Sequence, residues 1–501
     1  MNTRNVVRTR FAPSPTGKLH IGGARTALFA YLWAKKNNGQ FLLRIEDTDK
    51  TREVENGVAQ ITEGLRWLGL TWDEGPEVGG EHGPYIQSQR LDIYQRYAKE
   101  LIAKKAAYYC FCTSERLDAM RKEQQAQKQP PRYDRYCRRM TDEAVQAALA
   151  KGVNFVVRLT VPESGKITIH DIVRGDIVFD WHDIDDQVLM KSDGYPTYHL
   201  ANVIDDHLMQ ITHVIRGEEW LPSTPKHILL YQLFGWAAPE FTHLSIFLSK
   251  QGGKMSKRHG DTSLLHFRDQ GYLPEAVVNF AALLGWNPKT TEEFFTLEEL
   301  TERFELTQIH KANPVFETEK LDWINQHYMK KLSVLQLLEN IRNLSENAEE
   351  ISPLYKKFVQ WFSSLSTPRQ ESIWGSLKER THTLREVAES IVVVEGAQEY
   401  DPKKLVWKKS TVEETCKVYI ALQEKIAHIS EEQFLAKPLN DIFMQWIPTT
   451  GWGNGDVLWP MRYALSGVDK SPSPFELAEI LGKEETLKRL QYAQTILTPH
   501  Q

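Results

Sequence analysis

Arg10-Phe11-Ala12-Pro13-Ser14-Pro15-Thr16-Gly17-Lys18-Leu19-His20-Ile21-Gly22-Gly23 is the stretch that decides the fold. Val6, Val7 and Phe11 make an extended run, and Pro13 and Pro15 end it, because their rings fix φ and remove backbone donors. Gly17 and the Gly22-Gly23 pair permit a tight path. Residues 24–36 then read as a helix that turns Leu28, Leu32 and Trp33 toward a core. Phe41-Leu42-Leu43-Arg44-Ile45 is the next strand, which makes a β-α-β unit of a parallel sheet. A helix starting at such a turn presents unpaired N–H groups and a positive dipole end beside His20, a place for phosphate. It is not a Walker loop, since no Gly precedes Gly17-Lys18 at the required spacing, nor is it the dinucleotide fingerprint. Taken alone, a Pro/Gly turn before a core helix would look the same.

Between about residues 94 and 200 the pattern changes. A helix ends near 107, a Cys-rich and then basic segment follows, and Phe155-Val156-Val157-Arg158-Leu159 opens a strand-rich stretch, as in an insertion. The α/β pattern resumes with Val214-Ile215-Arg216 and a helix over 225–233. Phe247-Leu248 leads into Gly252-Gly253-Lys254-Met255-Ser256-Lys257-Arg258-His259-Gly260, a cationic loop flanked by glycines. Such a loop can fold over a polyanion and open again, its lysines holding triphosphate oxygens as point charges. A Lys-rich stretch by itself is usually a surface loop. Together, in this order on an α/β framework, the two segments are halves of one ATP site.

Beyond residue 264 the chain reads as nearly all helix, at 276–284, 297–304, 330–344, 384–394 and 413–426. Residues 400–409, with a proline and four lysines, read as a boundary or exposed turn. There is no internal repeat or low-complexity tract.

At 501 residues the chain is too long for one core. A hydrophobic share of 41% and a charged share of 25% are those of a soluble globular protein. The net charge of −5 argues against coating nucleic acid through bulk charge, but leaves room for local basic patches. No apolar run reaches membrane-spanning length, and the first ten residues lack the apolar core of a leader. Four cysteines are too few for a disulfide framework, so a reducing cytoplasm is expected.

Residues 13–23 resemble the "HIGH" signature of class I aminoacyl-tRNA synthetases, and residues 254–258 resemble their "KMSKS" loop. The fuller match of residues 10–23, Arg44-Ile45-Glu46-Asp47-Thr48-Asp49 and Tyr195-Pro196-Thr197-Tyr198-His199-Leu200-Ala201-Asn202 resembles the bacterial glutamyl-tRNA synthetase family. The resemblance runs end to end and includes residues 457–467, similar to that family's C-terminal signature. Two departures stand out. Gly23 replaces the signature's second His, and Lys257-Arg258 replaces Lys-Ser; both are usual in the glutamyl branch, but ATP contacts of a second His do not carry over.

The resemblance implies an α/β Rossmann-like catalytic domain (1–98 and 203–265) with an α+β insertion that binds the acceptor end (99–202). An all-α C-terminal half would follow: a stem-contact domain (266–332) and two anticodon-binding subdomains (333–400 and 401–501). It implies a cytoplasmic, monomeric glutamate–tRNA ligase that uses ATP with Mg²⁺ to make glutamyl-adenylate and transfers glutamate to tRNA(Glu). His20, Lys254 and Lys257 would be catalytic, with Thr16, His20, Gly22 and Lys257 on ATP. Glutamate would be held by Arg10, Ala12, Ser14, Glu46, Tyr198, Asn202 and Arg216.

The residue types suit those roles. Arg10 and Arg216 make sensible carboxylate clamps, because guanidinium pairs bidentately with carboxylate. Glu46 suits an ammonium, and Tyr198 and Asn202, four apart, share a face if that segment is helical. Glutamine would leave an arginine partly unpaired in a desolvated pocket. Singly, each Arg is more often a surface salt-bridge partner, so the set carries the reading.

Cys110, Cys112 and Cys137 invite zinc. Zinc-binding relatives often place His two residues after the third Cys, where Arg139 stands here, whereas Tyr133 matches the fourth ligand of shortened relatives. Buried free thiols are the alternative. Between Arg116 and Arg139 there are eight Lys or Arg against three acids, suited to an RNA acceptor stem or to a solvated helix face. Lys403, Lys404, Lys408 and Lys409 form a second patch, and Trp361, Trp374 and Trp407 could stack bases or fill cores. Rival readings fit less well. The relative that glutamylates a modified tRNA base lacks a C-terminal half, the glutaminyl enzyme is expected to end in β-barrels, and a decayed tRNA-binding paralogue would not keep Arg10, His20, Lys254 and Lys257.

Overall fold

Residues 8–11 are the parallel-sheet strand the opening stretch demands. In the computed structural model, which describes residues 6–49, 54–250, 252–253, 263–348, 351–391, 401–408, 410–469 and 471–498, strand β1 (Arg8–Phe11) pairs in parallel with β2 (Gln40–Leu43). The crossover is helix α1 (Ile21–Lys36), which buries Ile21, Ala24, Leu28 and Leu32, while Trp33 is only half-buried. It begins three residues ahead of the expected start at Ala24, because His20 caps it. Lys35 and Lys36 close its last turn, where the dipole favours cations.

The chain then passes through α2 (Gly57–Trp67) and α3 (Leu91–Ala103), the latter ending before the expected limit near 107, where strand β3 (Ala107–Cys110) takes over. Helices α4 (Ser114–Ala126) and α5 (Asp142–Ala150) precede β4 (Val156–Leu159), β5 (Lys166–Asp171), β6 (Gly175–Asp180) and β7 (Val188–Met190). Helix α6 (Tyr198–Leu208), β8 (His213–Gly217), α7 (Thr224–Phe234) and β9 (Glu240–Leu244) return to the α/β pattern. Two sheets beside the β1–β2 pair result: β3-β4-β7, antiparallel, and β6-β5-β9-β8.

The second sheet shows how the expected insertion is tied in. β8 and β9 pair in parallel, and β5 joins β9 where Asp171 meets Phe241. β1 lies beside the start of β8, with Thr212 N donating to Arg8 O at 2.9 Å. Thus Asp171, His243 and Arg216 reach one sheet from three distant parts of the chain. Leu159, Ile204, Val214 and Phe241 belong to one continuous core beneath it.

The chain divides into two units, one of residues 1–266 and 274–321, the other of 267–273 and 322–501. In the second unit every described regular element is helical, as the tail's periodicity predicts. One helix expected over 330–344 runs instead over Val334–Asn347, because Ser333 and Gln336 form a reciprocal capping box that fixes the start. The helix expected over 384–394 spans Leu384–Glu389, and residues 392–400 lie outside those described. The basic stretch near 400 is more than a spacer: Leu405 is fully buried in a core with Tyr419, Phe443 and Met461. Segment 267–273 is clamped by Leu384 N donating to Gly271 O and by Asn325 Oδ1 accepting from Leu273 N (2.8 Å). Gly271, with φ +83°, is required there, since a Cβ would lie 2.6 Å from Arg385 N. No described helix is long and apolar enough to cross a membrane.

Candidate active site

His20 fills the N-cap of α1, a place usually held by Ser, Thr, Asp or Asn. Its Nδ1 accepts from Gly22 N (3.1 Å) and Gly23 N (3.2 Å). The neutral ring therefore carries its proton on Nε2. Two amides expected to face phosphate directly are spent on the imidazole. A Cβ at Gly22 would sit 3.0 Å from the His20 ring, and one at Gly23 only 2.6 Å from Leu19 Cδ1. Leu19 thus occupies the space beside position 23, where the general signature carries its second His.

Of the second sequence half of the phosphate site, only its first glycines are described. Gly252 and Gly253, both in the left-handed region, close a turn on Ser249. Lys254, Lys257 and Arg258 lie outside the described residues. At the loop's far end, Ser263 bridges His20 and Leu264 N donates to Leu19 O at 2.7 Å. Thr16 is exposed beside a turn made by Thr16 N on Ser14 O.

Arg44 N on Phe11 O and Glu46 N on Pro13 O (both 3.0 Å) lay Ala12 and Ser14 alongside Glu46. Below them lies a buried charge network. Arg10 reaches Asp206 with Nε (3.0 Å) and Nη2 (3.3 Å). Arg44, wholly buried, bonds Asp206 Oδ1 (2.7 Å) and Glu46 Oε1 (3.0 Å). The Asn202 amide, oriented from its partners, accepts from Arg10 Nη2 and Arg44 Nη2 and donates to Asp206 Oδ2. Burial pushes the Glu46 carboxyl up, against the pull of Arg44 and Arg10. Burial also opposes ionisation of Asp206, but Arg10 and Arg44 outweigh it and hold that carboxyl below its ordinary value.

Arg216, the other expected clamp, has different company. Its Nε donates to His243 Nε2 and its Nη1 to Tyr198 Oη and His227 Nδ1, each at 3.1 Å. Its Nη2 donates to Thr224 Oγ1 at 2.9 Å. Trp220 covers Tyr198, ring centroids 4.0 Å apart. Tyr198 and Asn202 do lie one turn apart on α6, as their spacing predicts. The structure thus joins Arg10, Glu46 and Asn202 in one network and Tyr198 and Arg216 in its neighbour, with Arg10 Nη1 on Ile215 O (3.5 Å) beside Arg216. Sequence reading missed Arg44, Asp206, His227 and His243. Only two left a local signal: Arg44 in the quoted 44–49 stretch, and Asp206 one turn beyond Asn202.

The cysteines form a compact cluster. The sulfurs of Cys110, Cys112 and Cys137 lie within 4.8 Å of one another, with Cys112 and Cys137 3.5 Å apart. Tyr133 Oη stands 3.3 Å from Cys110 Sγ and 3.4 Å from Cys112 Sγ, while Arg139 is exposed. Sulfurs about 2.3 Å from a tetrahedral ion would be about 3.8 Å apart, so the donor set fits zinc. Arg158 lies over the Tyr133 ring at 4.0 Å and Arg116 Nη1 is 3.4 Å from Cys112 Sγ, cations that would offset thiolate charge. Of the nearby basic residues, Arg116, Arg121, Arg132, Arg135 and Arg138 pair with acids, which dilutes the expected basic surface. Among the tryptophans, Trp374 is core, donating to Leu332 O, whereas half-buried Trp407 packs against Trp459 with Lys408 over its ring.

A parallel sheet with a histidine-capped first helix and a buried arginine network beside it is the frame expected of a class I synthetase. Residues 6–323 match the family model for class I tRNA synthetases (E and Q), catalytic domain, and the chain belongs to that family. Residues 353–494 match an anticodon binding domain. Its full-length relatives are glutamate–tRNA ligases: that of Clostridium botulinum strain Eklund 17B is 44% identical, covering 97% of this chain and 98% of the relative. That of Moorella thermoacetica is 42% identical, covering 98% of each. The crystal structure of a glutamate tRNA ligase from Elizabethkingia meningosepticum, in complex with its amino acid, superposes with a TM-score of 0.84 at 37% identity, over 99% of this chain and 100% of that one.

Proposed function

We infer that this chain is a glutamate–tRNA ligase, activating L-glutamate with ATP and transferring it to the 3′-terminal adenosine of tRNA(Glu). The observation that carries the reading is Arg216, a buried guanidinium fixed against Tyr198, His227, His243 and Thr224, all neutral acceptors. A substrate carboxylate is the partner its charge lacks. Glu46 receives the substrate ammonium, and Arg10 supports the pocket through Asp206 and Asn202. The glutamate carboxylate attacks the α-phosphorus of ATP; pyrophosphate leaves and glutamyl-adenylate remains. His20 Nε2–H, Thr16 and Gly22 contact ATP, and Lys254 and Lys257 take the triphosphate oxygens as their charge grows. Bound Mg²⁺ would neutralise part of the triphosphate charge. The strand-rich insertion over 99–202 holds the acceptor end, and the helical unit reads the anticodon. Cys110, Cys112, Cys137 and Tyr133 would hold zinc, which would brace the insertion. The protein acts as a monomer in the cytoplasm.

The deciding experiment is glutamate-dependent ATP–pyrophosphate exchange, with and without tRNA(Glu), followed by aminoacylation of purified tRNA(Glu) and tRNA(Gln). Absence of exchange in the presence of tRNA(Glu) overturns the reading. For the metal, elemental analysis should find zinc near one equivalent in the chain and a large loss in Tyr133→Phe.

A further inference from the structure

Resting on the reading of Arg216 as the arginine that takes the substrate carboxylate, we propose that His243, His227 and Asp171 are positioning residues that aim the Arg216 guanidinium while leaving its charge unspent, and so set the preference for glutamate over glutamine.

Arg216 is 4% exposed, so its cation has lost nearly all its water. Yet among the described residues none of its hydrogen-bond partners is a carboxylate: they are two imidazoles, a phenol and a hydroxyl. Burying a cation without an anion is costly, and such an arrangement makes sense where a ligand supplies the anion.

The hydrogen-bond directions fix the proton positions. Guanidinium is only a donor. His243 must therefore accept at Nε2, so its proton rests on Nδ1 and is donated to Asp171 Oδ2 at 2.7 Å. Asp171 is wholly buried and also accepts from the backbone amides of His243, Val173 and Arg174. His227 accepts from Arg216 at Nδ1, so its proton rests on Nε2 and is donated to His199 Nδ1 at 3.0 Å. Burial holds the His243 and His227 rings below their ordinary range, which keeps both as acceptors.

Asp171 thus stands one imidazole ring removed from the guanidinium. From there it orients the ring that orients the arginine without forming the ion pair itself. A glutamate carboxylate meets a fixed fork with its charge intact. A glutamine amide would turn N–H groups toward N–H groups in a desolvated site, where unmade bonds are expensive.

The two histidines use opposite ring nitrogens, which gives a test that a merely structural role would not pass. The amide oxygen of glutamine replaces Nε2, and that of asparagine replaces Nδ1. His243→Gln should keep the acceptor for Arg216 and His243→Asn should lose it, whereas at 227 the order reverses, with His227→Asn retaining it and His227→Gln losing it. With the full chain and tRNA(Glu), KM and kcat are measured for glutamate and ATP separately, together with kcat/KM for glutamine. We expect the glutamate KM to rise about tenfold or more in His243→Asn and His227→Gln, the loss of one hydrogen bond to a charged group. The rise should be clearly smaller in His243→Gln and His227→Asn, with the ATP KM little changed throughout, and the glutamate-to-glutamine ratio should fall with the glutamate KM. Asp171→Asn should raise the glutamate KM less than His243→Asn does. Equal behaviour of the Gln and Asn variants at a site, or glutamate and ATP constants moving together, overturns the proposal. If one site's variants do not fold, the other site decides by itself. If the unsubstituted chain shows no glutamate-dependent exchange, the ligase reading fails; if it exchanges normally and the variants show no split, only the positioning proposal fails.

Discussion

Arg10 and Arg216 are two buried arginines about one residue type and opposite circumstances. Arg10 holds both oxygens of Asp206, which Arg44 also holds, so its charge is answered within the protein. Arg216 has four hydrogen-bond acceptors for its five N–H groups, and among the described residues none of them is an anion. Both read from sequence as carboxylate clamps, because a guanidinium looks alike wherever it stands. Which one is poised for a ligand depends on what its neighbours have already supplied.

Making the first resemble the second should have the largest effect. Asp206→Asn would leave Arg10 and Arg44 buried with too little opposing charge, costing about 3–5 kcal/mol in chemical denaturation. A loss below 1 kcal/mol would mean that the network is not the support it looks to be. On the other side, Arg216→Lys keeps a charge but not the planar fork. Glutamate kcat/KM should fall by about a hundredfold, the scale of truncating a buried charge-paired group, with the ATP KM nearly unchanged. Making Arg216 resemble Arg10 is the subtler change. Thr224→Asp would set a carboxylate where Thr224 Oγ1 now accepts at 2.9 Å, and should raise the glutamate KM about tenfold without lowering thermal stability. Unaltered glutamate kinetics would argue that the site tolerates a resident anion.

The smallest effect is in pH. The Asp206 carboxyl sits below its ordinary value because Arg10 and Arg44 outweigh burial, so its stabilisation is complete above about pH 3.9 and fades as pH falls through the lower folded value. The stability gap between the unsubstituted chain and Asp206→Asn should therefore narrow on acidification below about pH 4. A gap that widens there would contradict the pairing.

Local pattern revealed what local physics controls. The β-α-β opening, the helical tail and the Tyr198–Asn202 face all depend on short spacings or on turn residues, whereas Tyr133 was joined to the cysteines through the family resemblance. The start at Val334 was missed because a capping box outranked apolar periodicity. His20 as a cap was missed because imidazole is an uncommon capping group, although its place directly before Ile21 was in plain view. The Asp171–His243–Arg216 line could not be found at all from spacing. Its members are spread over more than seventy residues and meet only because β5 pairs with β9 and β9 with β8.

The seven residues 267–273 give the chain a particular kind of modularity. The polypeptide enters the helical unit, leaves it at Leu273 and enters again after Leu321. A fragment stopped at 321 would keep this strip but lose Asn325 and Leu384, the residues that clamp it. A fragment begun at 322 would keep the clamp and lose the strip. No single cut yields an intact half, so anyone wishing to transplant the helical unit onto another enzyme must splice two pieces rather than one.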